Sequence, residues 1–65
     1  MNTVTDYPKA CRRSIRKITD LMCTSAETAY RMMLMTAALM DLRPEDGTVL
    51  DMILTDYGIE DGEMA

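Results

Sequence analysis

Between residues 6 and 23 the apolar positions return with the period of a helix. Tyr7, Ala10, Cys11, Ile15, Ile18, Leu21 and Met22 share one side, and Lys9, Arg12, Arg13, Arg16 and Lys17 hold the other. The spacing predicts an amphipathic helix over about 6–23, with Thr5 or Asp6 as its cap and Pro8 at an early position that needs no donor. Thr24, with Glu27 three positions on, reads as a capping box and starts a second helix almost at once, over about 25–42. Helices this closely joined form a tight αα-hairpin.

The second helix is apolar around most of its circumference. Ala26, Ala29, Tyr30, Met33, Ala37 and Met40 form one stripe, and Met32, Met35, Leu39 and Leu42 form another, with the three-four-three spacing of a short coiled-coil seam. One stripe is assigned to the other helices of the chain and the other to a partner. A homodimer is expected, with Met32, Met35, Leu39 and Leu42 at its seam. The run Arg43-Pro44-Glu45-Asp46-Gly47 breaks the helix, and Thr48 with Asp51 opens a third over about 48–57. Val49, Leu50, Ile53, Leu54 and Tyr57 line one face of it, and Gly58 follows where a left-handed end is commonest. Residues 60–65 form an acidic tail, expected to be mobile. No segment alternates with period two over a useful length. The class is all-α: one three-helix domain, two longer helices and a short third, expected to dimerise.

Composition adds the reason for expecting a partner. The chain has 65 residues, 48% of them hydrophobic but only 5% aromatic, with eight Met and no Phe or Trp. A chain of this length buries only about 60% of the surface its unfolded form exposes, and Met gives a soft, adaptable core. Small domains are commonly stapled by a disulfide, a metal or assembly. Cys11 and Cys23 are twelve residues apart, about 18 Å along one helix, too far for a disulfide. With no His and no close pair of ligands, neither a metal nor another cofactor is expected. Assembly is the remaining staple. Met1 leads into a polar segment, and the longest apolar stretch falls far short of the roughly 20 residues of a membrane span, so a reducing cytoplasm and no membrane partner are expected.

Charge divides the chain. Residues 1–23 carry a net +3 and residues 24–65 a net −7, for a total of −4. Three readings follow. The first helix meets the acidic remainder, within one chain or across a dimer. Alternatively, its basic face, Lys9, Arg12, Arg13 and Arg16, contacts the phosphates of nucleic acid as a regulator would. In the third, the acidic surface of Glu45, Asp46, Asp51 and Asp56 imitates nucleic acid before a basic groove.

Catalysis is not expected, since no Ser, Thr or Cys has a base to activate it and Gly47, Gly58 and Gly62 are too scattered for a phosphate loop. Cys23 falls on the polar side of the first helix. In size, acidity, soft helical core and lack of catalytic groups the chain is similar in kind to the small proteins with which phages and mobile elements inhibit a host factor. That resemblance implies a non-enzymatic module that binds a host protein and, as a homodimer, occludes its surface.

Overall fold

Pro8 decides how the chain begins. A proline disfavours helical backbone at the residue before it, and here Pro8 is itself extended, with φ −54° and ψ 139°. The structure, a computed structural model that describes residues 4–59, therefore opens with two short 3-10 turns, Val4–Asp6 and Lys9–Cys11, instead of one helix from residue 6. Regular α-helix starts only at Arg12. The expected acidic tail at 60–65 lies outside the described residues.

Three helices follow: α1, Arg12–Met22; α2, Ala26–Met40; and α3, Gly47–Asp56. No strand occurs among the described residues, and the all-α, three-helix class stands. α1 stops at Cys23, which adopts left-handed backbone (φ 53°, ψ 47°). Two residues later α2 begins, capped by Ser25 and not by Thr24. The Ser25 hydroxyl accepts from the Thr28 N–H at 3.2 Å, and Glu27, one position too early to complete the box, pairs with Arg31 at 2.7 Å. The cap of α3 is likewise Asp46 and not Thr48: the Asp46 carboxylate accepts from the Thr48 N–H at 2.9 Å.

α2 and α3 end alike. Asp41 turns left-handed (φ 59°), its N–H bonded to the Ala38 carbonyl and that of Leu42 to the Ala37 carbonyl. At the end of α3, Gly58 takes φ 68°, with N–H bonds from Gly58 to Thr55 and from Ile59 to Leu54. Both are Schellman ends. The first ends α2 at Met40, so Leu42 lies beyond the helix.

The core is drawn from all three helices. Ile15 and Ile18 of α1, with Cys11 just before it, meet Ala29, Met33 and Ala37 of α2 and Val49 and Ile53 of α3. Ala29 and Ala37 have side chains small enough to let neighbouring helices approach closely around the single large residue between them, Met33. Thus the Ala-rich stripe of α2 is the one turned inward. The Cα envelope measures 32 × 26 × 16 Å, and its thin direction holds about two layers of helix at ordinary packing distances of 8–10 Å. Among the described residues, one side of α2 is left uncovered.

Candidate docking face

The uncovered side of α2 carries the seam stripe. Leu39 is 86% exposed and Met35 67% exposed, while Met32 is half-buried at the border with the core. α3 lies alongside, and between the two helices runs a groove of about 200 Å³ lined by Met32, Met35, Leu39 and Tyr57, with Ile53 of the core and the polar Thr36 and Asp56. Large apolar side chains left in water at adjoining positions, rimmed by polar ones, are the usual mark of an interaction surface.

Three of the four seam residues, Met32, Met35 and Leu39, are brought together in this groove. Leu42 is not, because the left-handed turn at Asp41 takes it off the helical wheel, although it remains 37% exposed. Tyr57 was expected on the buried face of α3. It follows the last helical residue and is 59% exposed, with its ring bordering the groove. Its position as the C-terminal cap, one residue past the last of α3 and just before Gly58, is the sequence signal for this.

The basic residues form a second surface. Lys9, Arg12, Arg13 and Arg16 line one shallow depression at the start of α1. Arg12 is committed there to the chain itself: its Nε donates to the Tyr7 carbonyl at 3.1 Å and its Nη2 to the Thr5 carbonyl at 3.3 Å, binding the 3-10 turns to the helix. Lys9, Arg13 and Arg16 are exposed. The ion pairs Arg31–Glu27 and Arg43–Glu45 (3.8 Å) lie outside this row.

The acidic residues do not make one surface. Asp46 caps α3, Asp51 is exposed along it, and Asp56 stands at the far end beside the α2 groove. Ten residues of helix separate Asp46 from Asp56 by about 15 Å. Glu45 turns instead toward α1, where it lines a cleft with Arg13 and Lys17. At that edge the basic and acidic halves of the chain meet.

Cys11 is buried and Cys23 exposed, both as free thiols. Burial, and secondarily the charge of Glu45, raise the Cys11 pKa above its ordinary 9.0. No cluster of three potential metal ligands occurs among the described residues, and none of the described helices is long and apolar enough to cross a membrane. No family model, curated protein or solved structure matches this chain.

Proposed function

We propose that this chain is a non-enzymatic protein-binding module that works as a homodimer, the second copy seated on the outer face of α2 and the adjoining groove. The observation that carries this reading is the exposure of Leu39 and Met35 beside a groove of about 200 Å³ closed on its other side by Tyr57. Symmetric dimers present the same patch twice, and a face that offers both projecting side chains and a groove supplies knob and hole in one surface. A standard interface takes about 800 Å² from each partner. Against the 4565 Å² of accessible surface here that is roughly one sixth, enough to occupy the outer face of α2 and the end of α3. The surfaces outside that interface would then be left to occlude a host protein, the mode of action we infer for the dimer.

Replacing Met35 and Leu39 together with Asp tests the reading. Both side chains stand in solvent in the single chain, so the variant should keep its helical circular dichroism while its solution mass falls from two chains to one. A variant that stays both folded and dimeric would exclude this face as the interface.

A further inference from the structure

We infer that the row Lys9, Arg13 and Arg16 is a docking site for the phosphate backbone of duplex nucleic acid. The inference stands apart from the dimer and rests on three observations.

The first is placement. Arg12 and Arg13 occupy the first turn of α1, where the helix dipole disfavours positive charge, and no acidic residue offsets them in that turn. A helix arranged for its own stability would carry Asp or Glu here. The second is availability: Lys9, Arg13 and Arg16 are exposed, side by side around one depression, and outside the Arg31–Glu27 and Arg43–Glu45 ion pairs. Arg12 shapes the site from within, since its bonds to the Tyr7 and Thr5 carbonyls fix Lys9 relative to the helix.

The third observation concerns the kind of polyanion. From Lys9 to Arg16 the row extends about 10 Å at helical rise, the length of about three phosphates on one strand of a duplex. Two of its three members are Arg, whose planar fork suits phosphate oxygens. No aromatic ring lines the depression, so it offers no platform for unstacked bases, and no Asn or Gln is there to read adenine. Charge contacts to a double-stranded backbone remain. The acidic residues of α3 repel the same backbone and so fix which side of the domain approaches it.

The test is fluorescence anisotropy of a labelled DNA duplex of arbitrary sequence, titrated with the full chain at several salt concentrations. Three phosphate contacts predict that log affinity falls with log salt at a slope of about −2.7, a loss of about 40-fold between 50 and 200 mM. Arg13→Glu with Arg16→Glu should abolish binding and, by placing acid at the start of α1, raise the melting temperature. Arg43→Gln, off the row, should leave both unchanged. Absence of duplex binding at 50 mM salt, or a double variant that still binds, would overturn the inference. Equal affinity for polyglutamate would also overturn it, and would assign the row to an acidic protein.

Discussion

The ring of Tyr7 lies against that of Tyr30, centroids 4.9 Å apart and planes tilted by 48°. This tilted contact joins the 3-10 turns to the inner stripe of α2, at a centroid distance usual for paired aromatic rings. It also places the Tyr7 phenol where partial burial first, and then the charges of Glu27 and Asp6, raise its pKa above the ordinary 10.0. The folded state therefore holds this proton when the unfolded chain has released it. The stabilisation is complete below pH 10 and is lost as pH rises through the folded value. Tyr7→Phe should flatten the alkaline limb of a plot of denaturation midpoint against pH, and an unchanged limb would place Tyr7 in water.

The thiols should react unequally. Cys23, exposed at the end of α1, should be modified by a thiol reagent within the native protein, and buried Cys11 only on unfolding. Native protein should thus titrate one thiol and denatured protein two. Cys11 should add to the alkaline loss of stability above pH 9, by the same sign argument as Tyr7.

Cys23 also carries a conformational cost. Its left-handed backbone is disfavoured for any residue with a Cβ, and Cys23→Gly should stabilise the domain by about 0.5–1 kcal/mol, read from the midpoint of urea unfolding.

The caps separate structure from sequence pattern. Asp46→Ala should cost about 1 kcal/mol and Ser25→Ala a similar amount, because each side chain receives a backbone N–H. Thr24→Ala and Thr48→Ala, aimed at the two caps that the sequence pattern suggests, should cost less. Urea midpoints of the four variants decide between the two assignments.

The core should be unforgiving. Ile18 and Met33 are fully buried, and truncating either to Ala removes about 2–5 kcal/mol, most of the stability that a domain of this size has to lose. Circular dichroism at 25 °C should show either variant largely unfolded.

Periodicity drew both stripes of α2 without deciding between them; Ala29, Met33 and Ala37, each four residues from the next, are the ones that packing turns inward. The same wheel separated exposed Cys23 from buried Cys11. It failed where the backbone leaves the helix. Pro8 displaced the start of α1 to Arg12, and left-handed Asp41 removed Leu42 from the seam. Neither Cys23 nor Asp41 is a glycine, so the left-handed turns that end α1 and α2 carry no mark in the residue itself, whereas Gly58 marked the end of α3 plainly. Tyr57 reached the groove for a related reason: a wheel assigns direction to a residue at a helix end that packing no longer holds. The commitment of Arg12 to two carbonyls depends on the 3-10 turns and is invisible in a pattern read as one continuous helix.

We read the outer face of α2 as a self-association surface. Light scattering after size exclusion, over about a hundredfold range of concentration, tests it most directly. The expected mass is that of two chains, 14.6 kDa against 7.3 kDa for one, falling toward one chain only at the lowest concentrations. A mass of one chain throughout would contradict it, leaving Met35, Leu39 and Tyr57 uncovered by a second copy.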